Sequence, residues 1–206
     1  MANQRPAAGE EWNPGDETPA RQAASVLVLR DGPDGPEVLL VQRNPEARFM
    51  GGAWVFPGGS VHDEDGGHAG AALRELEEEA ALTLAGEDEL VPYSRWITPT
   101  EVKIRFDTYF YLARAPEGAE PVCDGEECVA LGWYRPSQAL EESERGELSL
   151  VFPTVKNIEG LTEFATVEEA LAEARTRDVV PVQPRVVASE GEVRVLMPGE
   201  PGYDRE

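Results

Sequence analysis

The sequence predicts a mixed α/β domain. Three observations carry that prediction. Short runs rich in Val, Leu and aromatic residues recur along the chain, a few longer segments place apolar residues at helical spacing, and the two kinds interleave rather than segregate. No self-similarity with a period of about 20–50 residues suggests a repeat architecture instead.

The elements follow in order. Residues 1–22 hold three prolines and four acids with few apolar groups, and are expected to form a flexible arm. Ser25 to Arg30 and Glu37 to Arg43 bracket Asp31-Gly32-Pro33-Asp34-Gly35-Pro36, which predicts a hairpin with a six-residue loop. Ala53 to Phe56 reads as a short strand stopped by Pro57-Gly58-Gly59. Ala69 to about Leu82 is the clearest helix, continuing through Ala81 toward Thr83 before Gly86. Glu101 to Leu112 reads as a strand whose second face, with Lys103, Arg105, Asp107, Tyr109 and Tyr111, is either the wall of a site or a solvated surface. Cys128 to Tyr134 is a further strand, Pro136-Ser137 opens a helix through about Glu144, and Thr166 with Glu169 forms a capping box opening a helix to about Arg175. Val186 to Val187 and Val193 to Met197 suggest a closing hairpin. One domain is therefore expected over residues 23–200, with 201–206 as a tail.

Composition limits the partners. The 206 residues include 18 Lys and Arg against 40 Asp and Glu, a formal charge of −22. A nucleic-acid duplex or an anionic membrane demands clustered cations, so neither is expected as partner. Apolar runs such as Val38-Leu39-Leu40-Val41 fall far short of the roughly 18 residues of a spanning helix. Met1 to Arg5 lacks a signal-peptide core and Tyr203 to Glu206 carries no readable address, so a cytoplasmic location is expected. Cys123 and Cys128, with no nearby His, read as reduced thiols.

The segment most informative about chemistry is Arg74-Glu75-Leu76-Glu77-Glu78-Glu79. At about 100° per residue, Ala69, Leu73, Leu76 and Ala80 share an apolar stripe, Glu75, Glu78 and Glu79 fall on the opposite side, and Glu77 projects elsewhere. The i, i+3 and i, i+4 carboxylate pairs repel by ~0.2–0.5 kcal/mol each. Arg74 can reach Glu78, and a divalent cation would turn the remaining repulsion into attraction. Hard oxygen donors suit Mg²⁺ or Mn²⁺. A solvated helix face is the alternative reading of the same residues.

The spacing resembles the Nudix box, G-x(5)-E-x(7)-R-E-U-x-E-E-x-G-U, with U a bulky aliphatic residue. Gly59 matches the opening Gly, and Arg74, Glu75, Leu76, Glu78, Glu79 and Leu82 match its core. Three positions depart: Asp65 stands for the first Glu, eight residues rather than seven separate it from Arg74, and Ala81 replaces the Gly. Arg48 to Gly59 is similar to the R-x(3)-G-x(3)-F-P-G-G signature of coenzyme A diphosphatases, and Arg95 to Pro99 with Arg105 to Thr108 resembles the peroxisomal branch of that group.

The resemblance implies an α/β/α sandwich with a mixed β-sheet and hydrolysis of a nucleoside diphosphate linked to another moiety, with a small nucleotide as partner and a homodimer left open. It implies Glu75, Glu78 and Glu79 as ligands of Mg²⁺ (or Mn²⁺), a backbone carbonyl of Gly58 or Gly59 as a further ligand, and Arg74 as the group fixing the carboxylates. Glu127, with Glu126 second, is the candidate for a completing carboxylate or base. Arg43, Arg48, Lys103 and Arg105 are candidates for the 3′-phosphate of coenzyme A, with Arg48 and Arg105 first, and Phe49 for its pantetheine or acyl chain. ADP-ribose, a dinucleotide or a modified nucleotide remains the alternative substrate, and a Nudix-fold module that binds nucleotide without cleaving it the alternative of another class.

Overall fold

The computed structural model describes residues 11–47, 49–189 and 192–204. Strand β1 (Arg21–Gly32) occupies the middle of the sheet because both its faces are apolar. Ala24, Val26 and Val28 enter one core while Leu27 and Leu29 enter the other, as the period of two requires. β1 pairs antiparallel with β2 (Gly35–Arg43) and, at its start, with β4 (Gly58–Ser60), and parallel with β6 (Phe106–Arg114). β5 (Val91–Ile97) joins β6, and β8 (Pro181–Val182) joins β5. β2 also pairs with β3 (Trp54–Val55) and with β7 (Cys128–Tyr134).

Helices cover both faces of this mixed sheet. α1 (His68–Ala80) lays Ala71, Ala72, Leu76 and Ala80 on Val26, Val28, Leu39 and Ala113. α2 (Pro136–Glu144), α3 (Phe152–Leu161) and α4 (Val167–Thr176) bury Ala139, Ile158, Leu161 and Leu171 against Leu27, Leu29, Leu40 and Leu112. The result is the expected α/β/α sandwich. The Thr166 hydroxyl caps α4 by accepting the Glu169 N–H, as the capping box predicts. β9 (Arg185–Ser189) and β10 (Glu192–Leu196) form a separate hairpin.

Several expectations are corrected. Pairing of β1 with β2 runs on to Gly32 opposite Gly35, so the hairpin turns on Pro33 and Asp34 rather than on six residues. The strand expected from Glu101 begins at Phe106, and Val102 is bridged instead to Trp12. That bridge belongs to a seam along the supposed arm: the Asn13 N–H donates to the Glu101 carbonyl (2.8 Å) and the Lys103 N–H to the Glu11 carbonyl (3.0 Å). Residues 11–20 are therefore fastened to the molecule, while residues 1–10 of the arm lie outside the described residues. Near the other end, the Tyr203 hydroxyl donates to the Gln183 carbonyl (2.7 Å), tying down part of the tail. Cys123 and Cys128 are not free thiols but a disulfide, their Cα atoms brought to 5.3 Å by a tight turn.

The helix does not continue through Ala81. α1 stops at Ala80, and Ala81 caps it in the left-handed region at φ 53° and ψ 32°. Its N–H still donates to the Glu77 carbonyl (3.0 Å), which satisfies part of the helix end. The chain then turns so that Leu82 and Leu84 enter the core beneath α1, and that burial outweighs the cost of a left-handed Ala.

Candidate active site

Two glycines on β4 set the site. β4 lies against the start of β1, with Gly58 opposite Ser25 and Gly59 opposite Ala24. A Cβ on Gly58 would strike the Ala24 carbonyl at 2.5 Å, and one on Gly59 would collide with the Glu75 carboxylate. Only glycine lets this backbone approach the face of α1. The Gly58 N–H donates to Glu79 Oε2 at 2.9 Å.

The helix carboxylates differ in burial, and the division is not the one the spacing predicts, because Glu78 is exposed with Glu77 rather than buried with Glu75 and Glu79. Glu79 is 3% exposed and Glu75 8%, whereas Glu77 and Glu78 are exposed. Burial pushes Glu79 up to about 7. The Gly58 hydrogen bond and the charge of Arg43 oppose that rise, and the charges of Glu75 and Glu127 add to it. Burial likewise raises Glu75, against the pull of Arg74, with Glu78 and Glu127 adding negative charge. The Glu127 charge thus adds to the rise of both buried carboxylates.

Arg74 organises this face. Its Nη1 donates to Glu75 Oε1 (2.8 Å) and Glu78 Oε2 (2.9 Å), and its Nη2 to the Ser60 carbonyl (3.0 Å). Asp65 takes the rest of the fork, accepting from Nε (2.7 Å) and Nη2 (3.0 Å). The paired bonds from Arg74 hold the Asp65 carboxyl at about 2, aided by the His62 N–H. The shorter Asp is therefore competent as the partner of Arg74. The loop residue that looked like a defect in the motif is the anchor of its arginine.

The arginines proposed for substrate separate into two kinds. Arg43 ends β2 at an irregularity between Gln42 and Arg43, a device that re-aims side chains beside active sites. Its Nε is buried and has no hydrogen-bond partner among the described residues. Arg105 is the opposite case. It is 4% exposed, and it donates to Glu17 (2.5 Å), the Thr18 carbonyl (2.6 Å) and the Thr98 carbonyl (3.0 Å). Lys103 pairs with Glu11 at 3.1 Å. Both are substrate candidates from the sequence, and in the structure both contact the N-terminal segment. Arg48 lies outside the described residues. Phe49 packs on Phe106, centroids 5.6 Å apart, and serves as wall rather than as a free contact. The polar face of β6 lies beneath the start of α1: Asp107 accepts a two-point pair from Arg95, and the Tyr109 ring sits between Arg95 (4.6 Å) and His68 (4.2 Å).

The donors gathered on α1 suit a hard divalent cation, since all are oxygens and the missing Cβ of Gly59 lets its backbone come close to the Glu75 carboxylate. Among the described residues no three carboxylate, imidazole or thiol groups converge as a formed metal cluster. Arg74 and the Gly58 N–H occupy the carboxylates instead. Sequence reasoning missed the anchoring by Asp65 and the contacts of Asn44 and Asp124, described below, because each joins residues with no shared local pattern.

Comparison with known proteins agrees with this architecture. The NUDIX domain family model matches residues 19–154. The chain is 44% identical over 61 residues to a probable nudix hydrolase of Schizosaccharomyces pombe, a match covering 30% of this chain and 21% of that protein. It is 25% identical over 223 residues to a putative nudix hydrolase of Caenorhabditis elegans, covering 89% of this chain and 74% of that one. The first match thus spans about a fifth of its relative, the second about three quarters. The crystal structure of a NUDIX hydrolase from Alicyclobacillus acidocaldarius superposes with a TM-score of 0.70 at 27% identity, covering 75% of this chain and 96% of that one. No helix among the described residues is long and apolar enough to cross a membrane.

Proposed function

The chain belongs to the Nudix domain family, and from that premise we propose that it is a metal-dependent diphosphatase acting on coenzyme A or an acyl-coenzyme A. Water is added across the diphosphate, giving 3′,5′-ADP and (acyl-)4′-phosphopantetheine. The observation that carries the reading is the face on which Glu75 and Glu79 meet the glycine strand, with Glu78 tied beside Glu75 by Arg74 and the unsatisfied Nε of Arg43 in charge range of Glu79.

Glu75, Glu78 and Glu79 would hold Mg²⁺ or Mn²⁺, with a backbone carbonyl of Gly58 or Gly59 as a further ligand. When bound, the cation offsets the negative charge that builds on the diphosphate oxygens. Arg74 keeps Glu75 and Glu78 in place through its fork and is itself kept in place by Asp65. Glu127 takes the proton of the attacking water. Arg43 offers its guanidinium charge to a substrate phosphate, and Arg48 is the second cation for the 3′-phosphate. Phe49 and Phe106 form an apolar wall suited to the pantetheine or acyl chain.

The test is a substrate panel with Mg²⁺ or Mn²⁺, products identified by mass. Coenzyme A is expected to be cleaved in preference to dephospho-coenzyme A. One charge-assisted contact is worth about 1.5–3 kcal/mol, which corresponds to a preference on the order of 10–100-fold in kcat/KM. Faster hydrolysis of ADP-ribose than of either coenzyme would remove the substrate assignment and leave the diphosphatase. Binding of nucleotides without turnover of any would remove the enzyme.

A further inference from the structure

The segment leading into β7 carries Glu127, and it is held more firmly than an exposed loop needs to be. Asp124 Oδ1 accepts the N–H groups of Glu126 (3.2 Å) and Cys128 (2.8 Å), and Oδ2 accepts that of Glu127 (3.1 Å). Gly125, at φ 83°, donates its N–H to the Cys128 carbonyl (3.0 Å), a backbone conformation that favours glycine. The disulfide between Cys123 and Cys128 closes the same turn covalently. Asn44 grips it from the other side: its N–H donates to the Glu127 carbonyl (2.8 Å) and its Nδ2 to the Glu126 carbonyl (2.8 Å). Asn44 directly follows Arg43, so the strand end that carries the unsatisfied Arg43 Nε also holds the turn.

The backbone of Glu127 is thus fixed at both its N–H and its carbonyl. Packing does not explain this, since residues 124 to 127 are all exposed and Cys128 alone of the turn is buried. What the turn does hold is a carboxylate whose charge reaches Glu75 and Glu79.

We propose that Asp124 and the Cys123–Cys128 clasp are positioning elements for the Glu127 carboxylate, and that turnover responds to the thiol–disulfide state of the clasp. The inference rests on the hydrolase reading above, with Glu127 as the proton acceptor. Asp124 acts through Glu127 and touches no reacting atom. Opening the clasp is exchange with a dithiol. The reductant loses two electrons and two protons and closes its own S–S bond, while the Cys123–Cys128 bond breaks to two thiols. The turn then keeps its Asp124 bonds but loses its covalent closure, and Glu127 samples more positions.

The experiment is steady-state kinetics of the full chain on coenzyme A with Mg²⁺. Asp124→Ala is expected to lower kcat about 10–30-fold with KM within about two-fold. Asp124→Asn, whose amide oxygen still accepts N–H bonds, recovers part of the loss. In a Glu127→Gln background Asp124→Ala costs less than about two-fold, because the group it positions is already disabled. Dithiothreitol lowers kcat of the native sequence by about 3–10-fold, reoxidation restores it, and Glu127→Gln does not respond. Losses that multiply in the double variant, or a native enzyme indifferent to reduction, overturn the proposal. A silent Glu127→Gln beside an inactive Glu79→Gln overturns it too, while leaving the metal-dependent hydrolase intact. An active Glu79→Gln would instead remove the hydrolase reading beneath it.

Discussion

The end of β2 with the carboxylate face of α1, and the connection from Thr98 to Arg105, make an instructive pair. Each carries cations that the sequence offers as phosphate ligands, in a chain with more than twice as many acids as bases. At the connection every such cation is satisfied: Arg105 by Glu17 and two carbonyls, Lys103 by Glu11. Beside α1 the polar groups are left expensive. Arg43 Nε has no hydrogen-bond partner among the described residues, and Glu79 is buried on a single backbone N–H. Backbone strain divides in the same way. The two non-glycine residues at positive φ among those described are Met50, in the loop after β2, and Ala81, at the end of α1. In an acidic chain an arginine finds a carboxylate by default. The informative arginine is the one the fold leaves unpaired at a cost of about 1–3 kcal/mol.

The strongest way to break this contrast is at the carboxylates. Glu79→Gln keeps shape and the Gly58 hydrogen bond while removing a charge, and is expected to reduce turnover at least ~100-fold with the fold retained, judged by an unchanged circular dichroism spectrum. Glu77→Gln, on the exposed side of the same helix, should change little. Equal losses would mean that the buried face has no special role.

The arginines test the contrast directly. Arg43→Ala should shrink the preference for coenzyme A over dephospho-coenzyme A, by up to the order of 10–100-fold if it meets the 3′-phosphate. Arg105→Met should leave that preference unchanged and lower stability instead. It strands the Thr18 and Thr98 carbonyls, for a loss of about 2 kcal/mol, or about 4–8 °C in Tm for a chain of this size. A loss of selectivity in Arg105→Met would overturn the division between the two regions.

What was legible in the sequence is what depends on local period. α1 with its divided faces, the β1–β2 pair, β7, α2, the capped α4 and the final hairpin all follow from spacing of two or 3.6. β5 escaped because Pro92 and an irregularity between Pro92 and Ser94 break its alternation. α3 escaped because Phe152-Pro153 and Gly160 flank the β-branched Thr154, Val155 and Ile158, so packing on the sheet rather than propensity makes it helical. The duties of the arginines were hidden for a different reason. Arg105 meets Glu17 across 88 positions of sequence, and no local pattern announces such a pairing. The Cys123–Cys128 link was hidden by a turn that Asp124 builds from backbone bonds.

The smallest expected effect sharpens the comparison where strain is stored. Ala81 sits at φ 53° and is exposed, so a glycine there loses no packing and removes the clash of Cβ with the following carbonyl. That clash costs an L-residue roughly 1–2 kcal/mol, while glycine adds roughly 0.4–1 kcal/mol of unfolded-state entropy. The difference leaves Ala81→Gly more stable by up to ~1 kcal/mol, a rise of about 2–4 °C in Tm for a chain of this length. A helix that ran on through Ala81 would give the opposite sign, because glycine inside a helix costs about 1 kcal/mol. The sign of the melting shift therefore reports the end of the helix that carries the carboxylates, independently of activity. If the Gly variant melts higher and turns over more slowly, the strained cap is holding Glu79 against Gly58. If it melts higher with unchanged turnover, the strain is confined to the cap and the site is positioned by Arg74 and the glycine strand alone.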